Sequence, residues 1–370
     1  MGSFETLGIP DQVLRNIRLA GYRVPTDIQA QAIPVLLQGM DAVISSETGS
    51  GKTAAFLIPG IVRYVEGRRR LLVLSPTREL AIQTDRQAGT LGRGLLRHAL
   101  VYGGAPMGRQ VSDLSMGPGI VTGTPGRVLD LHRRGAIDLG AFDSVVLDEC
   151  DTMLDMGFVE DVTEILSHAS GRSQTSFVSA TVTAPILSLI SELGTDPVYI
   201  GLRPGERHGG PAIEHTYAVV RPGGKFQALL EYIRHARPSR AIVFTGTRRY
   251  AGILAQRLNR HGVSALAIHG DMTQRARESA MEEFRRRPGV LVATDVASRG
   301  IDIKGIDAVV NFDVPRDPRL YVHRTGRTAR MGAVGLALTI VESGEVGALE
   351  EIEREAGVRM MKVDLGAAAE

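Results

Sequence analysis

Tryptophan is absent, cysteine occurs once (Cys150), and only four of the 43 basic residues are lysines, at 52, 225, 304 and 362. One cysteine excludes an internal disulfide and a cysteine-built metal cluster. No apolar run approaches the ~18 residues that cross a membrane, so no membrane partner is expected. Met1-Gly2-Ser3-Phe4 lacks the basic segment and apolar core of a signal peptide. A cytoplasmic setting follows, or an organelle if a transit segment precedes the sequence. Arginine pairs bidentately with phosphate, but so strong a skew over lysine reads more simply as genome composition or temperature.

What is present is ordinary for a globular chain: 370 residues, 43% hydrophobic and 23% charged. That length suggests two domains, each large enough for its own core. Net charge is +2, unevenly spread: residues 1–200 carry 17 basic and 21 acidic side chains, residues 201–370 carry 26 and 20. A basic second half suits an anionic partner such as nucleic acid.

Ser46–Thr53 reads S-E-T-G-S-G-K-T between the apolar runs Ala42–Ile44 and Ala54–Ile58. Strand, glycine-rich turn and helix in this order converge backbone N–H groups and a helix N-terminus on phosphate. Gly49 and Gly51 permit the tight turn. Lys52 supplies a mobile positive charge, and the Thr53 hydroxyl is placed for Mg²⁺. The pattern G-x-x-x-x-G-K-[ST] has Ser46 in its first position here.

Short apolar runs then alternate with helix-like stretches. Leu71–Leu74, Ile120-Val121, Val145–Leu147, Phe177-Val178 and Val198–Ile200 predict strands of a parallel sheet. Gly201–Pro211 reads as a linker. The rhythm restarts at Thr216–Val220, Ala241–Phe244, Ala265–Ile268, Val290–Ala293, Ala308–Val310 and Leu336–Ile340, with a charged helical stretch over Gly347–Ala356. The expectation is α/β throughout: domains at 1–200 and 212–370 joined by 201–211. Ligands of such sheets sit at the carboxyl ends of strands. There Val145–Leu147 runs into Asp148-Glu149-Cys150-Asp151. Asp148 is suited to hold Mg²⁺ through water, and Glu149 to orient or deprotonate an attacking water. Cys150 reads as a small buried residue.

With those residues placed, the chain resembles a DEAD-box ATP-dependent RNA helicase (superfamily 2) over nearly its whole length. Thr48–Thr53 resembles the family's phosphate loop, with Ser46-Glu47 where Ala-Gln is usual. Asp148–Asp151 resembles its D-E-A-D motif as a D-E-C-D variant. Phe4 and Gly21–Gln29 resemble the adenine-reading Q motif. Pro76–Gln83 reads P-T-R-E-L-A-I-Q. Gly103-Gly104, Thr124–Arg127, Ser179-Ala180-Thr181, Ala293–Asp302 and His323–Arg330 follow in the family's order, Ala329 replacing a glycine.

The resemblance implies two tandem RecA-like domains that close on ATP, Mg²⁺ and RNA. It assigns Phe4, Thr26, Gln29, Thr48, Gly49, Ser50, Gly51, Lys52, Thr53, Gly300 and Asp302 to the nucleotide. RNA would meet Thr77, Arg78, Gly104, Thr124 and Arg127 of the first half, and Thr245, Gln274, Arg277 and Thr294 of the second. Asp151, Ser179, Thr181 and His323 would couple the domains. Arg327 and Arg330 would reach the γ-phosphate on closure, beside catalytic Lys52, Asp148 and Glu149. Arg78 and Arg127 could instead form intradomain ion pairs, and Gln29 could be an exposed helix residue. The expected function is RNA-stimulated ATP hydrolysis coupled to local unwinding of single-stranded or short duplex RNA by a monomer, with protein cofactors adding specificity. Two alternatives stay open: an RNA clamp without unwinding, and a DNA helicase or translocase.

Overall fold

The computed structural model describes residues 2–46, 49–180, 182, 184–193, 196–201, 213–295, 305–315, 317–328 and 335–365, without the side chains of 274 and 319. The chain divides into two compact units, Met1–His208 and Gly209–Glu370.

The first unit is built on seven parallel strands: β1 (Ala42–Ser45), β2 (Leu71–Leu74), β3 (His98–Val101), β4 (Ile120–Gly123), β5 (Ser144–Asp148), β6 (Gln174–Ser179) and β7 (Val198–Gly201). Their order is β3-β4-β2-β5-β6-β1-β7. Alternate side chains go to opposite faces, and here both faces are apolar. Ala42 and Ile44 join one core with Val146, while Val43 joins the other with Val145 and Leu147. This is why the strands read as unbroken apolar runs. The second unit repeats the plan with β8 (Ile213–Val220), β9 (Arg240–Phe244), β10 (Ala265–Ile268), β11 (Gly289–Ala293), β12 (Ala308–Asn311), β13 (Gly335–Glu342) and β14 (Met361–Lys362), ordered β10-β11-β9-β12-β13-β8-β14. All described strand pairs are parallel.

Threonines start helices in each unit. Thr26, Thr77, Thr247 and Thr273 each accept a hydrogen bond from the backbone of the first turn, satisfying an otherwise orphaned N–H. The expected helix near the end is present as Val346–Ala356.

Two expectations differ from what is observed. The edge strand β3 was not expected, because only Ala99 and Val101 of its four residues are buried and the apolar signal is short. Gly201, expected to open the linker, instead closes β7. Its φ is +85°, and a Cβ there would stand 2.0 Å from the Ser45 carbonyl oxygen, so only glycine fits. The rest of the expected linker, 202–211, lies outside the described residues.

Candidate functional site

The phosphate loop follows β1. Gly49 and Gly51 have φ of 88° and 95°, the left-handed conformation that glycine adopts without a Cβ penalty. The helix Lys52–Gly67 starts at once, so Lys52 and Thr53 lie in its first turn. The Lys52 ammonium donates to the Ser46 carbonyl. The loop is tied from behind: the Thr26 hydroxyl donates to the Ser50 carbonyl (2.8 Å), and the Gln29 amide to that of Gly51 (3.1 Å). Thr26 and Gln29 also form a reciprocal capping box at the start of the helix Asp27–Leu37. Gln29 is thus buried, not an exposed helix residue. A cavity of about 340 Å³ lies beside the loop, lined by Thr26, Asp27, Ile28, Gln31, Ser45, Ser46, Ser50 and Gly201.

Phe4 requires a correction. Its ring is 2% exposed and packs edge-on against Tyr22, centroids 6.5 Å apart. Phe4 therefore packs here as a core residue, with almost no exposed ring offered to adenine. Thr48 lies outside the described residues.

Asp148 ends β5, two strands from β1, with β6 between. At about 4.8 Å per strand, this sets its carboxylate roughly 10 Å across the sheet edge from the root of the loop. The side chain is buried, and Oδ2 has no hydrogen-bond partner among the described residues. Burial, reinforced by the neighbouring Glu149 carboxylate, pushes its pKa up to about 7, while Lys52 opposes the shift. A buried, unpartnered carboxylate oxygen beside a second carboxylate fits a hard divalent cation, which takes oxygen ligands and favours the charged form. Glu149 has φ 49° and ψ 51°, a left-handed conformation costing a non-glycine residue about 1–2 kcal/mol. Such strain persists where the surroundings enforce it, often at functional sites.

The end of β6 connects the two elements. Ser45 and Ser179 stand level in the register. Ser46 N–H donates to the Ser179 carbonyl (3.2 Å) and the Ser45 hydroxyl to that of Ala180 (3.4 Å). From the other side, the Asp151 carboxylate accepts from Ala180 N–H (3.3 Å), and Ser179 hydrogen-bonds the Cys150 thiol. Burial pushes that thiol's pKa well up, so Cys150 is no nucleophile. Thr181 lies outside the described residues.

The remaining expected residues of this unit gather on the other half of the same edge, beyond β2, β4 and β3. Arg78 is exposed and lies against Gly104: a Cβ there would stand 2.6 Å from a guanidinium nitrogen, and φ is +89°. Thr124 begins the helix Pro125–Arg133 without spending its hydroxyl on a cap. Arg127 donates to the Ala105 carbonyl (3.3 Å) and comes within 3.9 Å of Asp130. Thr77 is buried, and its hydroxyl oxygen caps the helix Arg78–Leu91 by accepting from Leu80 N–H, which leaves the hydroxyl hydrogen to donate.

In the second unit, Thr245 and Thr294 follow β9 and β11, which are neighbours. Both are buried, and the Thr245 hydroxyl donates to the Thr247 carbonyl (3.4 Å), which corrects its expected contact with RNA: its hydrogen goes to backbone. Arg277 is half-buried on the helix Gln274–Arg286. His323 lies half-buried on the helix Pro318–Thr325, and Arg327, also half-buried, follows it. Gly300, Asp302 and Arg330 lie outside the described residues, as does the Gln274 side chain.

One residue that sequence reasoning left without a role dominates here. Arg324 is 4% exposed. It grips Asp295 with two hydrogen bonds (2.6 and 2.8 Å), donates to Asn311 Oδ1 and the Asp313 carbonyl (both 2.9 Å), and lies over the Phe244 ring. It fixes the segment that carries Arg327. The only signal in the sequence was its place between His323 and Arg327.

A phosphate loop after β1 and a carboxylate pair after β5, with β6 between, define the first unit as a P-loop nucleotide-binding domain; the two seven-stranded parallel sheets make the protein a tandem RecA-like α/β chain. Residues 26–189 match the DEAD/DEAH box helicase family and 224–332 the helicase conserved C-terminal domain. The chain is 41% identical over 368 residues to the DEAD-box ATP-dependent RNA helicase CshA of Geobacillus kaustophilus, covering 98% of this chain and 78% of that one. Against CshA of Bacillus subtilis it is 40% identical, covering 95% and 72%. The solved structure of S. cerevisiae Dbp5 bound to RNA and ADP BeF3 superposes with TM-score 0.87 at 29% identity, covering 99% and 96%. A DEAD box protein from Methanococcus jannaschii is 36% identical with TM-score 0.56, covering 98% and 99%. The protein belongs to the DEAD-box ATP-dependent RNA helicases.

Proposed function

We propose that this chain hydrolyses ATP when RNA is bound and uses the cycle to open short RNA duplexes. The observation that carries the reading is the grouping at one sheet edge: the phosphate loop with Lys52, the Asp148–Glu149 pair, and β6 hydrogen-bonded to both sides. Lys52 and the loop N–H groups would bind the phosphates. Glu149 would orient and deprotonate the attacking water. Thr53, and Asp148 through water, would hold Mg²⁺, which when bound neutralises phosphate charge and polarises it for attack. Gln29 keeps one amide hydrogen and one oxygen lone pair beyond its loop and cap bonds, enough for the edge of adenine.

RNA would bind single-stranded along Arg78, Gly104, Thr124 and Arg127, groups that grip phosphate and sugar without reading bases. Little sequence preference and marked salt sensitivity follow. The domains, joined by 201–211, would close on ATP and RNA together, bringing Arg327 and Arg330 to the γ-phosphate. Protein cofactors would supply specificity to a cytoplasmic, monomeric enzyme.

The test is steady-state ATPase activity with single-stranded RNA, matched DNA or neither, in wild type and Lys52→Ala. Stimulation by RNA alone, lost in the variant, is the expected result. Equal stimulation by DNA supports a translocase, and binding without turnover supports a clamp.

A further inference from the structure

At the opposite edge of the second unit, three helices end beside the first residues of three adjacent strands. The helix Lys225–Ala236 leads to β9, Arg248–Arg260 to β10, and Gln274–Arg286 to β11. These strands lie side by side as β10-β11-β9, so about 10 Å separates the outer two. Their starts are stitched together: Gly289 N–H donates to the Ser239 carbonyl, Val290 N–H to that of Ser264 (both 2.9 Å), and the Arg240 guanidinium to that of Arg285 (2.9 Å).

Six exposed arginines crown this edge: Arg234 and Arg237, Arg260, and Arg285 through Arg287. None forms an ion pair among the described residues; exposed Arg18, Arg133, Arg134 and Arg248 do. Arg15, Arg86 and Arg93 are likewise exposed and unpaired among the described residues, but scattered, so what marks this edge is six unpaired arginines side by side. Helix dipoles explain part of the pattern. Three C-termini amount to about −1.5 charges, a quarter of what six guanidiniums carry. Nearby carboxylates temper the charge without pairing it. Asp307 accepts from the Ser239 and Arg240 backbone N–H groups, and Glu231, Glu282 and Glu283 lie within a turn of the arginines on their helices. None of the four is ion-paired with any of the six among the described residues. Exposed His235 and His261 can only add positive charge.

We propose that this arginine edge binds the phosphate backbone of RNA flanking the segment held at the carboxyl-edge site. The planar, weakly hydrated guanidinium matches phosphate bidentately, and repeated phosphates satisfy an array in which no arginine has a carboxylate of its own. A second contact on one RNA raises the effective concentration at the first without any new base reading. The proposal rests on RNA being the substrate, which the short-RNA arm below tests independently.

The experiment compares wild type with Arg260→Gln/Arg286→Gln/Arg287→Gln and with the matching Arg→Lys triple variant. Binding is measured to a ~10-nucleotide single strand and to the same strand carrying a duplex flank, at several salt concentrations. In the Gln variant, affinity for the short strand and ATPase stimulation by it are expected to stay within twofold. Affinity for the flanked RNA is expected to fall tenfold or more, and its log–log salt slope to shrink by about 2–3. The Lys variant, which keeps the charges but not the bidentate fork, should restore the salt slope and only part of the affinity. Equal binding of flanked RNA by wild type and the Gln variant overturns the proposal. So does a Gln variant that loses only affinity for an acidic peptide such as polyglutamate, which would mark a protein-docking face. Failure of every protein to bind the short strand would overturn the RNA reading itself.

Discussion

The Gln29 side-chain amide donates to the carbonyl of Gly51, 22 residues away, at 3.1 Å. A helix-capping residue thereby braces the turn that must wrap phosphate. The same proximity makes Gly51 intolerant of a side chain: a Cβ would stand 2.4 Å from Gln29 Nε2, at a φ of +95°. Gly51→Ala is therefore expected to weaken ATP binding at least tenfold while changing Tm by only a few degrees. Fluorescent-nucleotide titration beside a thermal melt tests this; unchanged affinity would show that the loop does not depend on the bracing.

Glu149→Gln should keep nucleotide affinity and lower turnover by about 10²–10⁴, the usual worth of a general base. Isothermal titration with a non-hydrolysable analogue and a steady-state ATPase assay separate the two effects. Turnover within threefold of wild type would remove Glu149 from the chemistry.

Arg324 and Arg327 lie three residues apart and should fail differently. Arg324→Met leaves Asp295 without its bidentate partner in a largely buried site, a loss of about 3–5 kcal/mol, read as a lower denaturant midpoint for the second unit. Arg327→Ala should shift that midpoint much less than Arg324→Met and lower RNA-stimulated turnover by about 10³–10⁵, as for arginine fingers. An unfolding shift in Arg327→Ala, with turnover intact, would reverse the assignment.

His98 and Asp85 set one pH dependence of stability. The His98 pKa is raised, chiefly by its hydrogen bond to Asp85 (Nδ1 to Oδ1, 2.7 Å) and against the effect of burial. A raised histidine binds its proton more tightly folded than unfolded. Its stabilisation is therefore full below the unfolded value of about 6.5 and fades as pH rises through the folded value. The denaturant midpoint of wild type should exceed that of His98→Asn most at about pH 5.5, and the gap should narrow by about pH 8.5. A gap that widens with pH contradicts the pairing.

Residues close together in the chain determined much of this protein. The phosphate loop, the strand cores, the Thr26 and Gln29 motif and the Asp148–Glu149 pair are legible because each depends on local backbone preference, side-chain alternation or a short motif. The sequence alone did not determine which polar side chains would be free. Thr245 has the right chemistry for RNA, yet folding turns its hydroxyl hydrogen onto the Thr247 carbonyl. Phe4 looks available for stacking until Tyr22 and the surrounding core cover it. Arg324 becomes a hub only once strand order brings Asp295, Asn311 and Asp313 to one place. The arginine edge likewise exists only because β10, β11 and β9 lie side by side. Such features depend on contacts between distant residues, and a buried polar group must take whichever partner the packing brings within reach.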